Sequence, residues 1–559
     1  PLMLDLLRLR IKRAEELSRD ALVALDFVAK SQMLRDLSLS GVAAFAKHLP
    51  RLKIGPHVAI HFHAQTRGDH EAVVCGDTRL TYKEFDDEII RLSRALAALG
   101  LSSGEAVALM LPNCVEHLVA QETMPRVGAL AVQIGYRLKG EELAHIFDNS
   151  NPQILIYHHS YEHEVRAGIG MGEYLEESQL LVVGAPEGAH VYGTRYEELL
   201  DLQSTELPHT RNAGKGGVII YTSGTTGKPK GATRSWKDTG IISVTDMMAQ
   251  TGMRNDDRHL VVCPLYHSGA LAFAKMMSSL GATLVLADHF EPEAVLRQIE
   301  KERITCAFMV PTMLVRINAL DEATKNSYDT STLRWVMSGA APLATSTANA
   351  FQEHFGPILH NFYGATETGT VTHARPEDHM TRPGSVGRPL RGNELRILDE
   401  EGEELDAGEV GELYVRNGML IDGYYRNHDA TVASLRQGFF SVGDLARVDK
   451  EGFLYLASRK HDMVISGGVN IYPREIEEVL HNHSDIAESA VIGIPDDEWG
   501  ESLRAFVVAK PGSGLSEADV VRHCKDHLAD YKQPRSVVFL KEMPRNATGK
   551  VLKRELREH

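Results

Sequence analysis

The apolar run Val218-Ile219-Ile220 breaks directly into Tyr221-Thr-Ser-Gly-Thr-Thr-Gly-Lys-Pro-Lys-Gly231. A short apolar run bounded by such a stretch reads as a buried strand entering a loop. Gly224, Gly227 and Gly231 let that loop turn where a side chain would resist. Successive backbone N–H groups, with the hydroxyls of Thr222, Ser223, Thr225 and Thr226, form an anion-binding concavity. Lys228 and Lys230 add positive charge. The familiar phosphate loop G-x-x-x-x-G-K-[ST] has a different spacing. Here two residues separate Gly224 from Gly227-Lys228, and Pro229 stands where the magnesium-binding hydroxyl belongs. The strand must therefore deliver a phosphate-binding loop of another kind.

The rest of the chain supplies a fold for that strand. Apolar runs at Ala106–Leu111, Gln153–Tyr157, Leu180–Val183, Thr283–Ala287 and Cys306–Val310 alternate with helical segments. This predicts an α/β architecture, a large amino-terminal domain of stacked, mostly parallel sheets covered by helices. Thr81-Tyr-Lys-Glu84 is a capping box, with Phe85, Ile89, Leu92, Leu96 and Leu99 on one face and Gly100 closing the helix. Beyond residue 390 short strands at Leu395–Leu398, Glu409–Val415 and Gly452–Leu456 suggest a small β subdomain. The chain restarts after Asp462 with a helix from Pro473, strands at Ala490–Ile494, Ala505–Ala509 and Ser536–Leu540, and a helix opened by Ser516. Residues 461–559 read as an α+β lid and residues 54–460 as the main domain.

Residues 1–53 differ, carrying ten Lys/Arg against six Asp/Glu in a chain whose net charge is −16. Leu4, Leu7, Ile11, Ala14, Leu22, Leu25 and Val28 follow helical spacing, interleaved with Arg8, Lys12, Arg13 and Arg19. Such a basic amphipathic helix either docks on its own domain or a second copy, or lies peripherally on an anionic membrane. The overall negative charge argues against nucleic acid as a partner. Five scattered cysteines without C-x-x-C spacing read as reduced thiols of a cytoplasmic protein. The histidines at 57, 61 and 63 have no ligand at metal spacing in sequence and read as strand or surface residues.

Asn361-Phe-Tyr-Gly-Ala-Thr-Glu-Thr368 offers an aromatic pair, Phe362 and Tyr363, for stacking a base, then Gly364, a hydroxyl and a carboxylate suited to Mg²⁺. Ser441-Val-Gly-Asp444 offers a carboxylate able to accept two ribose hydroxyls. Pro544-Arg-Asn-Ala-Thr-Gly-Lys550 places a lysine in a Pro/Gly-framed turn. Together with the loop at 221–231, these segments resemble the adenylate-forming superfamily of acyl-CoA synthetases, luciferases and peptide-synthetase adenylation domains. The resemblance covers roughly residues 70–555 and leaves the first 50 outside it.

The resemblance implies that Thr226 and its loop hold the ATP phosphates, Tyr363 contacts adenine, Thr366 a phosphate and Glu367 the Mg²⁺. It implies that Gly339, Ala340 and Ala341 lie beside the adenine, that Asp444 and Arg459 hold the ribose, and that Lys550 is the catalytic lysine. His267 in Pro264-Leu-Tyr-His-Ser-Gly269 falls at the acyl pocket. Gly467 and Gly468 would pass the pantetheine arm of CoA. His461 stands at the hinge, where the family usually has Asp or Lys. The implied activity is an ATP-dependent acyl-CoA synthetase acting on a hydrophobic carboxylic acid, foremost a medium- or long-chain fatty acid and otherwise a ring-bearing acid. An acyl-AMP ligase loading a carrier protein, a luciferase-like oxygenase, a β-lactone synthetase and a non-catalytic nucleotide sensor are the alternatives.

Overall fold

The computed structural model describes residues 31–32, 38–48, 58–208, 213–222, 229–235, 240–467, 469–496, 498–545 and 551–558. Two large sheets share one core. A nine-stranded sheet has parallel centre strands Thr283–Leu286, Arg258–Val261, Cys306–Met309, Trp335–Ser338 and Leu359–Ala365, with antiparallel strands at both edges. An eight-stranded sheet centres on Gly217–Thr222, Leu130–Gln133, Ala106–Met110 and Ile154–His158, all parallel neighbours. Parallel strands are buried on both faces, which is why they read as unbroken apolar runs.

Helices Tyr82–Ala98, Val115–Val127 and Ser268–Leu280 fill the space between the sheets, where Phe85, Leu118 and Phe273 join strand residues Val107, Ile220 and Leu260 in one cluster. The expected capping box is formed: the Glu84 N–H donates to Thr81 Oγ1 at 3.3 Å and the Thr81 N–H to Glu84 Oε2 at 2.8 Å. Leu99 does not join the apolar face; it sits in the C-cap, 40% exposed.

The β subdomain is a six-stranded antiparallel sheet including Glu394–Leu398, Gly411–Arg416, Asp444–Val448 and Leu454–Arg459. After it come the hairpin Val464–Ser466/Val469–Ile471 and the three-stranded sheet Ile486–Asp496, Gly500–Ala509, Ser536–Phe539, with helices Pro473–His481 and Glu517–His527 around their own core.

The histidines need correction. His61 and His63 lie on the helix Ala59–Thr66, not on a strand, and both are buried. His61 Nδ1 meets Asp86 Oδ2 at 2.6 Å, Asp86 Oδ1 meets Arg126 at 2.8 Å, and His61 Nε2 meets His48 Nδ1 at 2.8 Å. The carboxylate that His61 meets comes from another helix, a partner invisible in local spacing, while His63 meets the Ser279 carbonyl. Among the described residues no cluster of three or more His, Cys, Asp or Glu is arranged to hold a metal. No described helix is long and apolar enough to cross a membrane. Of the extension, helix Leu39–His48 packs on the helix Ala59–Thr66 through His48–His61 and Phe45–Phe62 contacts. The amphipathic stretch of residues 4–28 and His57 lie outside the described residues.

Candidate functional site

In open α/β sheets ligands bind beyond the carboxyl ends of the parallel strands. That is where the sequence motifs converge. The strand Gly217–Thr222 ends at Thr222, Leu359–Ala365 ends just before Thr366, Trp335–Ser338 ends before Gly339, and Arg258–Val261 leads to His267. A single cavity of about 2550 Å³ opens there, lined by Thr222, His267, Ala340, Thr366, Glu367 and Arg459 among others.

Glu367, 8% exposed, is the focus of one polar cluster. Thr222 Oγ1 donates to Glu367 Oε1 at 3.3 Å and the Tyr424 hydroxyl donates to the same oxygen at 3.1 Å. Lys230 Nζ lies 5.3 Å from the centre of the Tyr424 ring, a cation–π contact. One carboxylate with neighbouring hydroxyl oxygens is the hard-oxygen donor set a nucleotide-bound Mg²⁺ accepts, so these residues fit that ion. At Gly231 an added Cβ would fall 2.9 Å from Ile219, so the strand Lys230–Ser235 packs too tightly for a side chain there. Ser268, the first residue of the helix Ser268–Leu280, places Oγ 3.0 Å from Thr366 Oγ1, and His267 is that helix's N-cap. Ala340 adopts φ +67°, a left-handed backbone unusual for a residue with a Cβ.

Asp444 and Arg459 are directly opposite each other in register, with Arg459 Nε 2.7 Å from Asp444 Oδ1. The Tyr363 hydroxyl donates to Asp444 Oδ2 at 2.6 Å. Burial and the neighbouring carboxylate push the Tyr363 phenol well above its ordinary value, so it stays a donor. A carboxylate offers about four lone-pair sites, leaving Asp444 able to accept further hydroxyls.

The expected aromatic pair does not stack on one base. Strand alternation sends Phe362 to the inter-sheet core beside Phe273 and Phe308, and Tyr363 to the opposite face against the β subdomain. Gly339 directly follows the strand Trp335–Ser338 and Asn361 lies within Leu359–Ala365; an added Cβ on Gly339 would sit 2.4 Å from the Phe362 ring.

Three residues were not singled out from sequence. Arg234, on the strand Lys230–Ser235, donates from an amino group to the Thr366 carbonyl at 2.9 Å, while its Nε has no partner among the described residues. Burial lowers its pKa against the opposing pull of Glu367 and Asp422. Tyr424 and Asp422 come from the edge strand and turn beside it, and the Ser235 N–H donates to Asp422 at 2.7 Å. Period-two spacing from Lys230 through Ala232 to Arg234 is the signal that places Arg234 at the same wall.

The carboxyl-terminal region closes the cavity from the other side. Arg545 and Leu552 line it, Arg545 and Val551 form a β-bridge, and the Leu552 N–H donates to the Pro544 carbonyl at 2.8 Å. Gly467 is elsewhere, exposed at φ +57° with its N–H donating to the Trp499 carbonyl at 2.9 Å. His461 sits in the short helical turn Lys460–Asp462, where Arg557 reaches the His461 carbonyl and Asp462, each at 3.4 Å. Ser223, Gly224, Thr225, Thr226, Gly227, Lys228, Gly468 and Lys550 lie outside the described residues.

Residues 60–425 match the model of the AMP-binding enzyme family, and residues 475–550 that of the AMP-binding enzyme C-terminal domain. A feruloyl-CoA synthase of an Amycolatopsis species is 35% identical over 491 residues, covering 87% of this chain and 95% of its own. An anthranilate CoA ligase solved in complex with anthranoyl-AMP superposes with a TM-score of 0.83 at 28% identity, covering 91% of this chain and 97% of that one. An amide bond synthetase from Marinactinospora thermotolerans superposes with a TM-score of 0.81 at 28% identity, covering 90% and 98%.

Proposed function

The chain belongs to the AMP-binding enzyme family, and we propose that within it this protein is an ATP- and Mg²⁺-dependent ligase that joins a ring-bearing carboxylic acid to CoA. The class, acid–thiol ligation through an acyl adenylate, follows from the family and its relatives. The ring-bearing acid is preferred because the feruloyl and anthranilate relatives are named for aromatic acids; a medium- or long-chain fatty acid gains no comparable support.

One observation carries the reading. Thr222–Glu367–Tyr424, Ser268–Thr366 and Arg459, the partner of Asp444, open on the same cavity as Arg545 and Leu552, which stand on either side of residue 550 in the chain. In the first step a carboxylate oxygen attacks the α-phosphorus of ATP, the bond to the β-phosphate oxygen breaks, and pyrophosphate leaves. Two anions must meet for this, so cationic preorganisation is the main catalytic requirement. Lys550 supplies it from the carboxyl-terminal side and Lys230 from the phosphate-loop side. Glu367, with Thr222 and Tyr424, would hold Mg²⁺, which neutralises phosphate charge when bound. Ser268 and Thr366 offer hydroxyls where the carboxylate and α-phosphate meet, and Asp444 with Arg459 fixes the ribose.

In the second step the CoA thiolate attacks the acyl carbon and AMP departs. Residues 461–559 form the lid for this change, turning about His461 on residues 54–460 to bring Gly467 and Gly468 to the cavity. The present arrangement has Arg545 and Leu552 at the cavity and Gly467 not among its lining, which supports assigning it to the first step. Pyrophosphate release measured across ring-bearing and straight-chain acids, followed by thioester detection with CoA, tests the proposal. Release with aromatic acids and CoA-dependent thioester are expected. Thioester formation confined to straight-chain acids would overturn the substrate class, and adenylate that transfers only to an amine or a carrier protein would overturn the acceptor.

A further inference from the structure

The helix Ser268–Leu280 runs along the acid side of the cavity. Its first residue touches Thr366 at 3.0 Å, and its last turn packs on the helix Ala59–Thr66, where His63 Nε2 meets the Ser279 carbonyl at 2.9 Å. Residue 275 lies seven residues from Ser268, so at 1.5 Å per residue its backbone stands about 10 Å along the cavity from the reacting end. There Lys275 Nζ faces Glu122 Oε1 at 3.5 Å, with the two side chains 28% and 11% exposed. Both line the cavity, and the residues around them that line it too are Leu271, Met276, Pro125 and Phe62.

An ion pair in such a wall is not explained by stability. Withdrawing both charges from water roughly cancels their attraction, and apolar replacements of equal volume are commonly as stable or more so. A pair facing the space the acid occupies presents a donor and an acceptor side by side with no net charge. A second carboxylate would be repelled by Glu122 and an ammonium by Lys275. A hydroxyl meets both, donating to the carboxylate while accepting from the ammonium.

Resting on the acyl-ligase reading above, we propose that Lys275 and Glu122 are specificity-determining residues that select acids carrying a neutral hydroxyl about 10 Å from the reacting carboxyl. The selection is physical: a hydroxyl satisfies both partners, whereas a methyl in its place displaces water from two charges and returns nothing. A site built to hydrogen-bond a substrate group discriminates strongly against the analogue lacking it.

The test compares matched acids, 3-(4-hydroxyphenyl)propanoic against 3-(4-methylphenyl)propanoic acid and 8-hydroxyoctanoic against nonanoic acid, by kcat/KM for pyrophosphate release and for CoA thioester. Wild type is expected to favour the hydroxyl member of at least one pair by about tenfold or more. In the double variant Lys275→Met/Glu122→Leu that ratio should fall below one, because the apolar wall now favours methyl. Lys275→Gln and Glu122→Gln, each keeping polar contact, should give intermediate ratios and serve if the double variant fails to fold. A wild-type ratio at or below one in both pairs overturns the proposal while leaving the ligase reading intact, as does a ratio unchanged in the variants. Absence of pyrophosphate release with every acid sinks the ligase reading and this proposal with it.

Discussion

The two walls of the cavity are held in different ways. On the amino-terminal side, each polar group is fixed by partners on separate elements. Glu367 accepts from Thr222 and Tyr424, its own carbonyl accepts the Ile421 N–H at 2.9 Å, and Arg234 clamps the Thr366 carbonyl. In the same main body the helices Ala59–Thr66, Tyr82–Ala98 and Val115–Val127 are tied together by the buried Asp86–Arg126–His61 network. On the carboxyl-terminal side, the helix Pro473–His481 meets the main body through single polar contacts: the Thr345 N–H donates to Glu478 at 3.0 Å and Ser346 Oγ to the His481 carbonyl at 3.1 Å. Both are part-buried hydrogen bonds, and a single hydrogen bond contributes only about 1 kcal/mol net, so two can be exchanged for others at small cost. The contrast teaches that the wall around Glu367 is tied together across several elements, whereas the helix Pro473–His481 is tied to the main body by the two hydrogen bonds just named, as the proposed lid movement requires.

Breaking the fixed side at its base should have the largest effect. Asp86→Ala leaves Arg126 and His61 buried without their carboxylate, at a cost of roughly 3–5 kcal/mol, readable as a large fall in denaturant midpoint. Burial alone would raise the Asp86 pKa, but Arg126 and His61 outweigh it and hold the carboxyl below its usual range. A depressed carboxylate stabilises above its unfolded value of about 4 and loses that contribution as pH falls through the folded value. The gap between wild type and Asp86→Ala should therefore be full at pH 6 and shrink at more acid pH. A gap that widens on acidification would contradict the network.

At the site itself, Glu367→Gln should lower adenylation by about 10²–10³-fold without a matching loss of stability, measured by pyrophosphate release beside a thermal melt. The carboxyl-terminal side should respond least and differently. Gly467→Ala places a Cβ at φ +57° and 2.8 Å from the half-exposed Trp499 ring. The backbone cost is about 1–2 kcal/mol, which stays local because Trp499 can swing into solvent. Pyrophosphate release should be unchanged and thioester formation slowed by about tenfold or less; equal slowing of both would show that Gly467 serves the two steps alike.

Much of this contrast was legible in the sequence because the fixed side is built from strand ends, and a strand end followed by its motif is local information. Thr222, Thr366, Glu367, Asp444 and Arg459 each sit at or just past a strand end. What escaped depends on partners far away in the chain. His61 is set by Asp86, 25 residues on, and the Glu367 cluster is completed by Tyr424, 57 residues on. Phe362 and Tyr363 read as one stacking pair because adjacency in sequence hides the pleat that sends them to opposite faces. The positive φ of Gly467 and the Trp499 ring beside it are likewise properties of the folded hairpin alone.

The central claim is that the carboxyl-terminal turn serves only the first half-reaction. The most direct measurement takes Lys550→Ala through both halves separately, pyrophosphate release from acid and ATP, then CoA transfer from supplied acyl-AMP. The account predicts a loss of about 10²–10³-fold in the first and near wild-type rates in the second. Equal loss in both halves would contradict it.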